Sequence, residues 1–187
     1  VTAEVDGARL SDEELFDFLQ LLLLAGTETT TNLIANAVSC LASHPEQLRY
    51  VREDHARIPA ALEEVLRFRS PLQIQVRRTT EEVELHGCRI PGDRLVLAMI
   101  GSANRDETRF PHASRFDVTR AAQPHVGFGH GIHFCLGAAL ARLEARVAME
   151  ELLARTSALR LRTPRWPPRQ ALIVHGPRAL DISFLPA

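Results

Sequence analysis

Residues 127–137 read GFGHGIHFCLG and place Cys135 where a glycine-rich loop gives way to a helical pattern, LGAALARLEARVAMEELLA. A group at the start of a helix faces free amide donors and the positive end of the helix dipole. Both attract negative charge, and the thiolate is the form of cysteine that binds metals and attacks electrophiles. Gly127, Gly129 and Gly131 permit positive φ and let the backbone approach a flat ligand, with Gly137 doing the same on the other side. Three chemistries stay open for Cys135 on these residues: metal ligand, nucleophile, or small buried thiol. His125, His130 and His133 add imidazoles. The spacing His130-x-x-His133-x-Cys135 lacks the second ligand pair of a structural zinc site.

Two further groups carry functional residue types. AGTETT at 25–30 sets Glu28 beside the Thr29 and Thr30 hydroxyls, where Gly26 and Thr27 weaken a helical stretch. A threonine that interrupts the i−4 ladder bends a helix, and an acid beside a hydroxyl in apolar surroundings suits proton delivery. A solvent-facing polar patch or a kink fits the same letters. Glu64 and Arg67 are three apart, so they share a helix face. In isolation they read as an exposed ion pair worth well under ~1 kcal/mol.

The elements that must hold these groups follow from periodicity and caps. Ser11-Asp12-Glu13-Glu14 is a capping box that opens a helix running to His44-Pro45, where proline stops it. That helix would span roughly 48 Å. Helices are expected after Pro45 and with Pro59 in a first turn. QIQVRR, EVELHG and RLVLAMIG are short strand patterns separated by Gly87 and Pro91-Gly92. Residues 101–126 are irregular, 137–155 helical, and 171–175 and 180–184 strand-like. The fold class is mainly α with small β-sheets.

The chain has 187 residues, 45% hydrophobic, with a formal net charge of −1. That balance argues against nucleic acid or an anionic membrane as partner. All 22 basic residues are arginine. Cys40, Cys88 and Cys135 are odd in number and widely spaced, which suggests a reducing, cytoplasmic setting. LLLLAG at 21–26 is too short to cross a bilayer. The first residue is Val1 and the first helix begins almost at once, so a piece of a longer protein is expected.

Taken together, these motifs resemble the cytochrome P450 family of haem-thiolate monooxygenases. FGHGIHFCLG at 128–137 is similar to the family's F-G-x-G-x-H-x-C-x-G loop, and Ala141 completes its common bacterial extension. AGTETT resembles the oxygen-activation motif of the long central helix, Glu64-x-x-Arg67 the E-x-x-R motif, and SANRD…FPHASRFDVTR the meander. The resemblance implies the C-terminal half of that fold over residues 1–187, with the N-terminal half absent, and haem b as cofactor. It implies Cys135 as iron ligand, Phe128 shielding the thiolate, and Gly129 and Gly137 giving clearance. His133 and Arg77 would meet the haem propionates. Glu28 and Thr29 would relay protons beside Ala25 and Gly26, which leave room for dioxygen. Glu64 and Arg67 would be structural, with Arg115 or Arg120 as third partner, and Ile74 and Gln75 would contact a small organic substrate. A ferredoxin-type donor would supply electrons. The uncovered apolar surface would pair with a missing N-terminal half or self-associate. The rival implication is a truncated haem- or partner-binding module without catalysis.

Overall fold

The computed structural model describes residues 4, 7–121, 123–163 and 171–187. Helix α1, Asp12–Ser43, starts as its capping box requires. The Glu14 amide donates to Ser11 Oγ at 3.2 Å and the Ser11 amide to Glu14 Oε2 at 2.9 Å. It stops at His44, next to a proline that has no amide to continue the ladder. Contrary to the expected weak point, α1 is unbroken through AGTETT. The Thr27, Thr29 and Thr31 hydroxyls donate to the carbonyls of Leu23, Ala25 and Thr27 at 2.7, 2.6 and 2.7 Å. Each polar side chain is therefore satisfied by its own helix, and the ladder has no reason to open.

The two ends of α1 live in different surroundings. From Asp12 to Glu28 every residue except Leu15 is exposed, and Leu23 and Leu24 are 70% and 73% exposed. From Thr30 to Leu41 one face is buried. There Leu33, Ala37 and Leu41 meet Val51 of α2 (Pro45–Glu53), Ile58, Leu62 and Val65 of α3 (Ile58–Phe68), and Met149 and Leu153 of α5 (Ala138–Arg155). Pro45 and Pro59 both sit in first turns, where their missing amides cost nothing.

Three two-stranded antiparallel sheets surround this helical core. Strand β1 (Gln75–Arg78) pairs with β4 (Leu95–Ala98), with Gln75 opposite Ala98. Strand β2 (Val83–Leu85) pairs with β3 (Cys88–Ile90) across His86-Gly87, both at positive φ, and β5 (Thr156–Leu161) pairs with β6 (Ile182–Pro186). Strand β5 follows α5 without a turn signal and is not visible in the sequence pattern. The strand expected at 171–175 is only a single bridge, Leu72 to Val174. Its backbone groups go elsewhere: the Ile173 carbonyl accepts from the Gln73 amide, and the His175 carbonyl from Asn36 Nδ2. A short helix α4 (Ile100–Ala103) opens the irregular stretch that leads to the cysteine loop.

That stretch is tied to α3 by charge. Glu64 and Arg67 are not an exposed pair; their side chains are 4% and 2% exposed. Arg67 donates through Nε and Nη2 to the Glu64 carboxylate at 2.7 and 2.8 Å. Its remaining N–H groups go to the carbonyls of Asn104, Ala113 and Arg115 at 2.9, 2.9 and 3.1 Å. All five guanidinium donors are thereby used. The Asp117 amide donates to Glu64 Oε1 at 2.9 Å, and Arg120 Nε lies 3.3 Å from Glu64 Oε2. The choice between the two arginines is a division of labour: Arg120 brings the second positive charge, and Arg115 offers only its backbone carbonyl. Removing one partner of a buried pair leaves the other charge uncompensated. Glu64→Ala is therefore expected to destabilise the chain by about 3–5 kcal/mol in urea denaturation. A loss below about 1 kcal/mol, the range of a surface pair, would contradict this account.

Candidate functional site

The cysteine loop is shaped by its glycines and closed by its own backbone. Gly129 and Gly131 have φ of 77° and 74°, which only glycine adopts without strain. At Gly127 the constraint is space. A Cβ there would lie 3.0 Å from His125 Nδ1 and 3.2 Å from the Leu66 carbonyl oxygen of α3. Gly137 is different from the expectation: its φ is −84°, it has open space around it, and it serves as the N-cap position of α5. The Cys135 amide donates to the Phe128 carbonyl at 2.9 Å, and the Phe134 amide to the Gly131 carbonyl at 3.0 Å. Cys135 emerges exposed at the end of this loop, together with Ile132, Phe134 and Leu136.

The start of the loop is fastened to the meander. Asn104 Oδ1 accepts the Val126 amide at 2.8 Å, its Nδ2 donates to Ser70 Oγ at 2.9 Å, and its carbonyl serves Arg67. One buried asparagine thus links the Glu64–Arg67 pair to the loop that presents the thiol.

The other candidate residues separate into three groups. His133 is exposed in a 3₁₀ turn, Gly131–His133, and His130 precedes it. Arg77 is exposed on β1 and donates to its neighbour's carbonyl, Val76, at 2.9 Å. On the same face of β1, Gln75 Oε1 lies 3.4 Å from Arg77. Ile74 is 3% exposed and packed inward, so the expected contact of its side chain with substrate is corrected to burial in the protein's interior. On α1, Ala25, Gly26 and Glu28 belong to the exposed half, while Thr29 is half-buried and holds the Ala25 carbonyl. A Cβ added at Gly26 would meet nothing within 4 Å in this chain.

The cysteines differ sharply. Cys40 is buried in the core, and burial pushes its thiol up to about 11, which keeps it protonated and inert. Cys88 is exposed on the β2–β3 hairpin. Among the described residues no group of three or more His, Cys, Asp and Glu is placed to hold a metal ion. The zinc alternative therefore has no cluster: His125 turns toward Glu63 at 3.1 Å instead of toward Cys135.

Glu63 and Arg142 were not singled out as site residues by sequence reasoning, and His125 was weighed only as a zinc ligand beside Cys135. Arg142 donates to both Glu63 carboxylate oxygens, at 2.6 and 3.0 Å, and its guanidinium lies 4.5 Å from the centre of the Phe128 ring. Burial alone would raise the Glu63 carboxyl, but the bonds from Arg142 and His125 outweigh it and hold it at about 2. No sequence spacing announces this trio, because its members are 62 and 79 residues apart from Glu63.

This chain belongs to the cytochrome P450 family, whose family model matches residues 2–178. It is 46% identical over 182 residues to cytochrome P450 107B1 of Saccharopolyspora erythraea, covering 95% of this chain and 44% of that protein. It is 50% identical over 153 residues to the vitamin D(3) 25-hydroxylase of Pseudonocardia autotrophica, covering 81% of this chain and 38% of the relative. The solved structure of cytochrome P450 CYP109Q5 from Chondromyces apiculatus superposes with a TM-score of 0.97 at 45% identity, over 100% of this chain and 48% of that one. The chain thus spans less than half the length of the relatives it matches. Members of the family bind haem b. The residues present fit such a group: an exposed thiol, exposed apolar side chains in the same loop, and exposed Arg77 and His133 able to take carboxylates.

A pH dependence follows from Glu63. Its folded value lies below its ordinary 4.5, so its stabilising contribution is complete above that pH and is lost as pH falls through about 2. The melting temperature is expected to fall more steeply over this window in the wild type than in Glu63→Gln. Parallel curves for the two would show that Glu63 is not held as its contacts imply.

Proposed function

We propose that residues 1–187 are the C-terminal, haem-binding part of a cytochrome P450 monooxygenase that inserts one oxygen atom of dioxygen into a small organic substrate. The observation that carries this reading is the exposed Cys135, held at the mouth of the loop by the hydrogen bond its amide donates to the Phe128 carbonyl. When bound, haem supplies the oxidation chemistry, and a thiolate ligand pushes electron density toward the iron and favours O–O cleavage.

The chain's own residues do the rest. Cys135 would hold the haem iron through its sulfur, and Phe128, half-buried against the core, would shield that sulfur. Gly129 keeps the loop backbone low enough for a flat ring, and Gly137 keeps the start of α5 free of side-chain bulk. Arg77 and His133 would hold the haem carboxylates by charge-assisted hydrogen bonds. On α1, Glu28 and Thr29 would carry protons to the reaction. The Thr29 hydroxyl, which donates to the Ala25 carbonyl at 2.6 Å, would turn outward to hand its proton on and take one back through Glu28, whose exposed carboxyl draws protons from solvent. Ala25 and Gly26 leave space there. Gln75, half-buried on β1, is the substrate contact that remains. Glu64, Arg67, Arg115 and Arg120 hold the scaffold. A ferredoxin-type donor in the cytoplasm delivers electrons singly, and arginines on the cysteine side attract its acidic surface. No described helix is long and apolar enough to cross a membrane. The uncovered side chains Leu19, Leu22, Leu23 and Leu24 of α1 are the surface on which further chain of such a domain, or a second copy, packs.

Haem added to the purified chain, reduced and exposed to carbon monoxide, is expected to give a band at about 450 nm. Absence of any Soret shift would overturn the proposal for this chain. A band with no substrate oxidation, once an electron donor and the remaining segment are supplied, would leave a haem-binding module. Cys135→Ala is expected to abolish the band while changing stability by no more than about 0.5 kcal/mol, as exposed substitutions do. Thr29→Ala in the completed enzyme is expected to divert electrons to hydrogen peroxide; unchanged coupling of electron use to product would remove Thr29 from the relay.

A further inference from the structure

One charged cluster stands directly behind the cysteine loop and takes no part in the roles above. Glu63 of α3 accepts two hydrogen bonds from Arg142 of α5, at 2.6 and 3.0 Å. His125, at the entrance of the loop, meets the same carboxylate through Nε2 at 3.1 Å. Its other ring nitrogen, Nδ1, accepts the Gly127 amide at 3.0 Å. That fixes the proton on Nε2, so the neutral ring satisfies both contacts at once.

The guanidinium of Arg142 has a second engagement. Its carbon lies 4.5 Å from the centroid of the Phe128 ring, within cation–π range. Phe128 in turn accepts the Cys135 amide on its carbonyl at 2.9 Å, and its ring lies 6.3 Å from that of Phe134. Contacts therefore run from Glu63 through Arg142 and Phe128 to Cys135, and from Glu63 through His125 to Gly127. A surface ion pair would account for Glu63 and Arg142 alone, since both side chains are 41% exposed. It does not account for His125, whose side chain is 6% exposed, or for the guanidinium lying over the one ring whose backbone holds the cysteine amide.

We propose that Glu63, Arg142 and His125 are positioning residues for Cys135, a clamp that fixes Gly127 and Phe128 and so sets the direction in which the ligand sulfur leaves the loop. This rests on the reading of Cys135 as the axial ligand. The clamp ties three separate parts of the chain, α3, the loop entrance and α5, at one carboxylate. Glu63 stays ionised through the neutral range, because Arg142 and His125 hold it at about 2 against the effect of burial. A lysine at 142 would keep the charge but lose the two-pronged contact and the planar stack.

Arg142→Ala, Arg142→Lys and Glu63→Gln test the clamp in the full chain, first without haem. Amide hydrogen exchange of Cys135 is read by NMR alongside that of Ala37–Leu41 in the core. The Cys135 amide is expected to exchange about tenfold faster in each variant, equivalent to about 1.4 kcal/mol of local stability, with the core amides unchanged. If Arg142→Ala loosens the core as well, the nearly isosteric Glu63→Gln decides. In the second arm the same proteins are loaded with haem, reduced and exposed to carbon monoxide. The variants are expected to hold as much haem as the wild type but to lose most of the band at about 450 nm, and Arg142→Lys is expected not to restore it. Wild-type exchange and a wild-type band in Arg142→Ala and Glu63→Gln would overturn the proposal. Full restoration by Arg142→Lys would overturn it too, in favour of a simple charge effect. If the wild type itself lacks the band, the ligand assignment falls, and the exchange arm alone still decides whether the clamp holds the loop.

Discussion

The arrangement depends on one buried ion pair. Arg67 spends all five of its N–H donors inside the protein, two on Glu64 and three on carbonyls of residues 104, 113 and 115. Those carbonyls belong to a stretch with almost no regular structure, whose backbone has few ladders to satisfy it. A rigid, planar, permanently charged donor set is what such a stretch needs. Other contacts also hold residues 104–120, among them Arg105 on the Phe68 carbonyl and the Phe116 ring against Phe68, but Arg67 fixes three of their carbonyls at once, including that of Asn104, which reaches on to Val126 and the cysteine loop. The pair's net worth in stability is a separate matter, since desolvation offsets much of the attraction. Its contribution is to define a path for the chain.

Two layers of order meet at the loop. The meander sets where the loop begins, and the trio behind it sets how the loop lies. The first is buried and nearly water-free; the second is half-exposed and rests on geometry more than on strength of charge. Glycine appears in the loop for two unlike reasons, positive φ at Gly129 and Gly131 and simple crowding at Gly127. The crowding arises because His125 folds back to take the Gly127 amide, so the glycine and the histidine make sense only as a unit.

Much of this was legible in the sequence because it is local. The capping box at Ser11, the prolines at 45 and 59 and the helix after Cys135 are decided within a few residues and were read correctly. What was misread depends on partners far along the chain. Glu64 and Arg67 are the exception: spacing alone reads them as a surface pair, but the family resemblance implied the structural tie to residues 104–120 that the fold shows. AGTETT looks like a breaking point, yet three hydroxyls bonded one turn back keep the helix whole. Strand β5 hides in letters that continue a helical pattern and exists because β6 lies beside it. Ile74, expected from the resemblance to contact substrate, is 3% exposed. The meeting of Glu63, His125 and Arg142 could have been flagged only by asking which charges stand behind the loop, a question about space and not about spacing.

Helix α1 is anchored at one end only. Its second half is built into the core, and its first seventeen residues, about 25 Å of rod, project from that root. Mechanically it is a cantilever. A tilt of about 5° where Leu33 and Ala37 are seated would carry the far tip roughly 3 Å, while the turn bearing Thr29, close to the root, would shift by less than about 1 Å. Whatever settles along the free leucines therefore exerts leverage on the core, and small repacking around Ala37 is reported, amplified, at Phe16.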